Sequence, residues 1–401
     1  MVIDCFKIYT VQIPLRFSVT HTLAARDKSS SIIVCAYSQS GEIGFGECCP
    51  RSYVTGETLV NAKKNLSEKL LPGFVGKSFY SFEEMVACLG EISKSIPKNN
   101  HAAFCALEMS LLDLAGKVFS KSIGSVIGPP VQKRVRYSSV IASKDPEKCG
   151  KFALMMRMMG FKDIKIKVGK SLQSNMEILQ QVRDNAGEKM SLRLDANGAW
   201  DGDEAIRQLE MMKKFSLSGI EQPVAAEDFE GMKHVTEARI LPVIADESLC
   251  TMDDAVRLIE SGACNIFNIR ISKCGGILNS MAIYRKALEA NLMSMLGAQV
   301  GETALLSAVG RHVACRCSGL KWYEGSYGKL LLKTDIASRS ITIGFGGWAR
   351  HIKGNGIGVA ADIKKLRVYS TRDCQKVNTA RPIISTNPVG SLDSWRNNGY
   401  R

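Results

Sequence analysis

The first sixty residues alternate apolar and polar side chains with a period of two, which predicts strands. Cys5-Phe6-Lys7-Ile8-Tyr9-Thr10-Val11 alternates, and Ser31-Ile32-Ile33-Val34-Cys35-Ala36-Tyr37 is a compact β-rich run ended by a Ser-Gly turn. A three-stranded meander is expected there. Apolar residues then move to helical spacing over 58–71, 82–92 and 102–118, and an α+β unit is expected to close near Pro129-Pro130.

From about residue 135 the texture changes to short apolar runs separated by amphipathic stretches. Strands are predicted over 163–168, 191–194, 219–220, 241–245 and 266–271, with helices over 171–185, 203–214, 251–261 and 277–290. Strand–helix units of this size imply a parallel sheet, and a series of them implies a closed (β/α) barrel. A doubly wound open sheet is the alternative, but no GxGxxG opens a helix after a strand.

Charged residues recur at the strand ends. Lys165 and Lys167 close the first of these strands, Asp195 the second, Glu221 the third and Asp246 the fourth, and Lys273 follows the fifth. From Lys167 onward the separations are 28, 26, 25 and 27 residues, one strand–helix unit each time. A barrel brings such residues to its C-terminal mouth, where barrel active sites are built. Three carboxylates meeting there repel one another unless a divalent cation sits among them, and oxygen-only ligation suits Mg²⁺, with Mn²⁺ the alternative, over zinc. Asp195, Glu221 and Asp246 are the expected ligands. Lys167 and Lys273 flank them from opposite sides as acid/base groups, with Lys165 as a like-charged neighbour expected to lower the pKa of Lys167. The chemistry implied is removal of a proton next to a carboxylate.

Composition narrows the class. The chain has 401 residues, 45% hydrophobic and 23% charged, enough for two domains and a large core. Of its net charge of +14, the last 39 residues carry +6, so 371–401 is expected to be a weakly ordered basic tail and the charge argues for neither nucleic acid nor membrane as partner. No apolar run approaches the roughly 18 to 20 residues of a membrane span, and the 13 cysteines include no CxxC, so a reduced cytoplasmic protein is expected. The histidines lack metal-ligand spacing, and the methionines of 155–159 and 211–212 are expected to pack in the core.

At Lys165-Ile166-Lys167, Leu194-Asp195-Ala196-Asn197-Gly198, Ile220-Glu221-Gln222-Pro223, Ala245-Asp246-Glu247-Ser248 and Ile271-Ser272-Lys273-Cys274-Gly275-Gly276 the chain resembles the enolase superfamily, in its muconate lactonizing enzyme-like subgroup. The resemblance implies an α/β protein: a modified (β/α)₇β TIM barrel with an α+β capping domain formed by the N-terminal region and a C-terminal segment. The expected division is a cap over 1–132, the barrel over 133–340, a segment returning to the cap over 341–370, and the tail. It also implies one Mg²⁺ on Asp195, Glu221 and Asp246, Lys167 and Lys273 as catalysts, a small-molecule carboxylate substrate and a homo-oligomer.

The reaction implied is racemisation or epimerisation of a dipeptide or N-acylated amino acid. The alternative is a cycloisomerase or an o-succinylbenzoate synthase-type lyase on a nonpeptide acid. Two segments resemble dipeptide epimerases, 47–57 and 330–336, but the Asp-x-Asp usual on their last barrel strand is replaced by Gly325-Ser326-Tyr327, preceded by Glu324, which is the candidate substitute. Further candidates for substrate contact are Thr20, His21 and Arg26 in one cap loop, Arg51 and Tyr53 in another, and Gln299 and Glu302 near the seventh strand.

Overall fold

The computed structural model describes residues 1–21, 24–371 and 374–379, and the side chains among these other than those of 18–26. The predicted meander is present: β1 (Ile3–His21), β2 (Ala24–Ser38) and β3 (Ile43–Cys48) pair in sequence, antiparallel. Helices α1 (Ser52–Thr55), α2 (Leu59–Asn65), α3 (Phe82–Lys94) and α4 (His101–Val118) follow.

Helix α4 is buried all round, from His101 to Gly116. A helix apolar on every side belongs between two layers, and α4 lies between the cap sheet and the barrel. Gly46 of β3 lets it do so. A Cβ there would overlap the main-chain oxygen of Ala106, so only a residue without one allows the helix this close.

Strand β4 (Arg134–Arg136) leads into the barrel strands, β5 (Ser139–Ile141), β6 (Asp163–Lys167), β7 (Ser191–Asp195), β8 (Leu217–Glu221), β9 (Val243–Ala245), β10 (Ile266–Ile269), β11 (Met293–Leu296) and β12 (Leu320–Tyr323). These eight, β5 to β12, pair in chain order, all parallel. At the seam the main-chain N–H of Ser138 donates to Tyr323 O at 2.8 Å, joining the last strand to the residue before the first. Between them run α5 (Pro146–Met158), α6 (Leu172–Ala186), α7 (Gly202–Met212), α8 (Phe229–Glu237), α9 (Met252–Ser261), α10 (Gly276–Glu289) and α11 (Ala304–Arg316). The fold is a curled eight-stranded parallel sheet ringed by helices, with an α+β cap.

After β12 the chain returns past the barrel entry, where β13 (Trp348–Arg350) pairs with β4, and then to the cap, where α12 (Ile363–Tyr369) packs on β1. Part of the expected tail is regular. β14 (Gln375–Val377) adds to the edge of β1, matching Phe6 with Val377, because the unpaired N–H and C=O groups of an edge strand accept another strand. The remainder of 371–401, from residue 380, lies outside the described residues.

The methionine expectation needs correction too. Met156 and Met212 are buried, but Met155, Met158 and Met211 face solvent, since helices on the outside of a barrel bury only their inner stripe. The thirteen cysteines are free thiols, and among the described residues no helix is long and apolar enough to cross a membrane.

Candidate active site at the barrel mouth

Strand register gathers the site. Lys167 of β6 is paired with Asp195 of β7, which is paired with Glu221 of β8, so three of the expected residues end neighbouring strands at one level. Glu221 is paired in turn with Ile244 of β9, two residues before Asp246. Side chains two apart on a strand share a face, which makes a second, deeper layer: Lys165 lies beside Arg193 in register, below Lys167 and Asp195.

The deeper layer is an ion-pair network. Lys165 Nζ donates to Glu324 Oε2 at 2.9 Å and Glu221 Oε1 at 3.0 Å, with Asp195 Oδ2 at 3.5 Å. The other oxygen of Glu324 accepts from Arg193, whose guanidinium lies over the Trp322 ring, 4.9 Å from its centroid. Burial alone would pull the Lys165 ammonium down, but Glu221, Glu324 and Asp195 outweigh it and hold the group above the usual lysine range. Lys165 therefore sits as a protonated counter-ion among three carboxylates. Burial would likewise raise the Glu324 carboxyl, yet Lys165 and Arg193 keep it below the usual range. Both carboxylate oxygens of Glu324 are thus engaged within the bore of the barrel, by Lys165 and Arg193.

In the upper layer, Lys167 Nζ donates to Asp195 Oδ2 at 3.2 Å and to Asn197 Oδ1. Asn197 Nδ2 in turn donates to Glu247 Oε1 at 3.2 Å, and burial pushes the Glu247 carboxyl up to about 7. Across the mouth, Lys273 Nζ donates to Asp246 Oδ1 at 2.9 Å, to Asp246 O at 2.6 Å and to Asn268 O at 2.9 Å. Lys273 is fully buried, and burial lowers its ammonium below the usual range.

Lys273 is positioned by the cap. Beyond β10 the chain turns through Gly275 and Gly276, both at positive φ, into α10. A Cβ on Gly276 would overlap the Glu108 carboxylate, which accepts the N–H groups of Ile277 and Leu278 at the start of α10. His101 Nδ1 lies 3.0 Å from Lys273 O. Both His101 and Glu108 belong to α4, so the cap helix grips the Lys273 loop on either side.

Sequence reading missed Arg270. Its guanidinium bridges Asp246 Oδ2 and, at 3.4 Å, Glu221 Oε1, while Asn268 Nδ2 donates to Glu221 at 3.0 Å. The signal was available: Asn268, Arg270 and Ser272 are polar at alternate positions, as are Arg193 and Asp195, and such alternation marks an inward polar face.

Among the described residues no three acidic, histidine or cysteine side chains are grouped so that they could hold a metal ion as they stand. Each carboxylate is turned instead to one of the chain's own cations. The donor set nevertheless fits a hard divalent ion. It is all oxygen, and Glu221 Oε2 is buried with no hydrogen-bond donor. Arg270 places positive charge between two of the three carboxylates.

The remaining candidates separate. Arg51 is 2% exposed and donates to the main-chain oxygens of Pro50, Ser30 and Val300, which ties the cap to the loop after β11, while its Nε is buried without a hydrogen-bond partner. Tyr53 is half-buried on α1. Gln299 and Glu302 meet beyond β11, where the Gln299 N–H donates to Glu302 Oε1 at 2.6 Å. The side chains of Thr20, His21 and Arg26 lie outside the described residues.

Comparison with known proteins agrees with this geometry. Residues 149–365 match the enolase C-terminal domain-like family, and residues 5–128 match the mandelate racemase / muconate lactonizing enzyme N-terminal domain. A D-Ala-D/L-Ala epimerase of Cytophaga hutchinsonii is 28% identical over 81% of this chain and 86% of its own. The crystal structure of N-succinyl Arg/Lys racemase from Bacillus cereus superposes with a TM-score of 0.87 at 25% identity, over 94% of this chain and 100% of that one. A dipeptide epimerase from Cytophaga hutchinsonii, complexed with Mg and D-Ala-L-Val, gives 0.85 at 26% identity, again over 94% and 100%. The chain belongs to the enolase superfamily, in its muconate lactonizing enzyme-like subgroup.

Proposed function

We propose that this protein is a Mg²⁺-dependent racemase or epimerase that removes the proton α to a carboxylate and delivers another to the opposite face, acting on a dipeptide or N-acylated amino acid. One observation carries the reading. Lys167 and Lys273 belong to β6 and to the turn after β10, four strands apart in a ring of eight, and Asp195, Glu221 and Asp246 stand on the three strands between. Two amines on opposite sides of one carboxylate cluster have the arrangement that proton transfer between two faces requires.

Asp195, Glu221 and Asp246 would hold the ion, with Mn²⁺ as an acceptable replacement. When bound, Mg²⁺ supplies the positive charge that acidifies the α-proton and stabilises the enediolate left by its removal. The chain's own groups do the rest. One lysine, as the free amine, takes the proton from its face; the other, as the ammonium, delivers one to the other face; Lys165 stays protonated and offsets the carboxylates beneath. Burial of Lys273 against main-chain oxygens fixes its amine in place. Names of relatives support the reaction class, since they include epimerases and a racemase, and a similar structure holds Mg with a dipeptide.

The test is α-proton exchange followed by NMR in D₂O with Mg²⁺ over pooled dipeptides and N-acyl amino acids. Exchange accompanied by inversion is expected. A product of altered mass or unsaturation, as cycloisomerisation or elimination would give, overturns the reading.

A further inference from the structure

Lys167 ends β6, and residues 168–171 alone separate it from α6. The ladder to β7 reaches one residue further, where the Val168 N–H donates to Asp195 O at 2.9 Å. Beyond that the main chain is held by side chains. Asn175 of α6 grips Gly169 at both polar groups: its Oδ1 accepts the Gly169 N–H at 2.9 Å and its Nδ2 donates to Gly169 O at 2.8 Å. Trp200 Nε1, from the turn after β7, donates to the same oxygen at 3.0 Å, and Gln208 Nε2 of α7 donates to Lys170 O at 2.8 Å. The two amides are joined, Asn175 Nδ2 donating to Gln208 Oε1 at 2.8 Å.

These amides stand where a barrel helix ordinarily buries an aliphatic side chain. Asn175 is 2% exposed and Gln208 0%, and the other buried residues of the two helices include Ile178, Leu179, Ala205 and Leu209. An amide withdrawn from water is unfavourable unless its hydrogen bonds are replaced. Here both donors of each amide are used and each amide oxygen accepts, the last donor of Gln208 going to Glu204 Oε1 at 2.8 Å. A buried network satisfied in this way is rigid, and turning the Asn175 amide over would set its Nδ2 against the Gly169 N–H. The turn after Lys167 is thereby fixed to both α6 and α7.

We propose that Asn175, supported by Gln208, is a positioning residue for Lys167, holding the end of β6 so that the amine meets the substrate from its own face. The inference rests on the proton-transfer function proposed above and deepens it. Lys167 has more need of such support than Lys273. The Lys273 amine is fully buried and donates to two main-chain oxygens, whereas the Lys167 side chain is 14% exposed and its amine donates to the side chains of Asp195 and Asn197. The bonds of Asn175 and Gln208 end on the turn and not on the lysine, so they act by fixing where its main chain stands. Each lysine then has its own anchor: α4 for Lys273, and the paired amides of α6 and α7 for Lys167.

The test reads α-proton exchange by NMR in D₂O with Mg²⁺, separately for the two stereoisomers of each member of the dipeptide and N-acyl amino acid pools. Asn175→Leu keeps the shape of the side chain and removes its hydrogen bonds; Gln208→Met keeps the volume of the second amide and leaves the Asn175 grip on Gly169 in place. Asn175→Leu should slow exchange about 10- to 100-fold in the isomer that Lys167→Ala also fails to exchange, the loss expected when a catalytic group is displaced by about 1 Å. The isomer served by Lys273 should stay near the wild-type rate. Gln208→Met should slow the same isomer by a smaller factor, and decides the matter alone if Asn175→Leu does not fold. An unchanged ratio of the two rates overturns the positioning role and leaves the proton-transfer reading standing, whether both rates fall together, as general destabilisation would give, or neither falls. A ratio shifted against the Lys273 isomer overturns it as well. Absence of exchange by the wild type with every substrate overturns the reading beneath.

Discussion

Lys273 Nζ donates to Asp246 Oδ1 at 2.9 Å with both side chains fully buried, and Asp246 accepts from Arg270 with its other oxygen. One proposed metal ligand is thus the counter-ion of two buried cations. Asp246→Asn should leave Lys273 without its carboxylate and Arg270 with Glu221 alone, and destabilise the protein by roughly 3–5 kcal/mol. It should also abolish stabilisation by the ion: at about 100 times its dissociation constant, Mg²⁺ adds about 2.7 kcal/mol to a protein that binds it only when folded. Urea unfolding with and without Mg²⁺ reads both effects, and a variant still stabilised by Mg²⁺ as the wild type is would remove Asp246 from the ligand set.

The lysines give a prediction that depends on which face is served. Lys167→Ala and Lys273→Ala should each abolish epimerisation, with kcat lower by about 10²–10⁴, the usual contribution of a general acid or base. Each should keep slow exchange of the α-proton in only one stereoisomer, opposite for the two variants. Circular dichroism should register no gross unfolding for Lys167→Ala, since its amine lies at the rim. Exchange of both isomers by either variant excludes a two-base mechanism.

The strand ends were legible because their chemistry is periodic: Lys167, Asp195, Glu221, Asp246 and Lys273 recur once per strand–helix unit, a spacing the barrel converts into a single ring. What escaped were partnerships fixed by depth within the bore. Lys165 and Glu324 are 159 residues apart and meet only because the first and last strands close on each other, and no local pattern encodes that. The surroundings of Arg51 were hidden for the opposite reason: nothing in a loop sequence shows that three main-chain oxygens will engage its guanidinium. The edge strand 375–377 was hidden because three residues of Gln-Lys-Val carry too little alternation to stand out from a basic tail.

Docking of the cap turns on small residues in β3. Gly46→Ala places a methyl inside the contact distance of Ala106 O on α4, a main-chain atom that cannot swing away as a flexible side chain would. Overpacking of this kind typically costs about 1–3 kcal/mol, and backbone against backbone belongs at the upper end. Because α4 also carries Glu108 and His101, the displacement should reach Lys273: kcat should fall together with the melting temperature, although residue 46 is nowhere near the mouth. Gly76→Ala is the useful contrast, with open space around its Cβ and a positive φ of 78°, and should cost stability through backbone strain while leaving kcat unchanged.

Buried carboxyls at the helix starts make stability depend on pH. Glu108 accepts the N–H groups of Ile277 and Leu278, and Glu47 accepts those of Thr303 and Leu306 with the Thr303 hydroxyl. Burial outweighs these bonds and raises Glu108 from 4.5 to about 8 and Glu47 to about 7. Between 4.5 and these values the unfolded chain releases the proton while the folded chain keeps it, so stability is full below 4.5 and falls as pH rises through 7 to 8. Each group contributes a slope of up to about 1.4 kcal/mol per pH unit in that window. Glu108→Gln cannot ionise, and its amide keeps one of the two acceptor bonds, so it should be about 1 kcal/mol less stable than the wild type at pH 5. That deficit should shrink and then reverse toward pH 8, as the wild type alone loses the Glu108 share. Urea titrations at half-unit steps from pH 5 to 8 measure the difference directly, and a deficit that stays constant across the series would show that Glu108 is already ionised in the folded protein at pH 5.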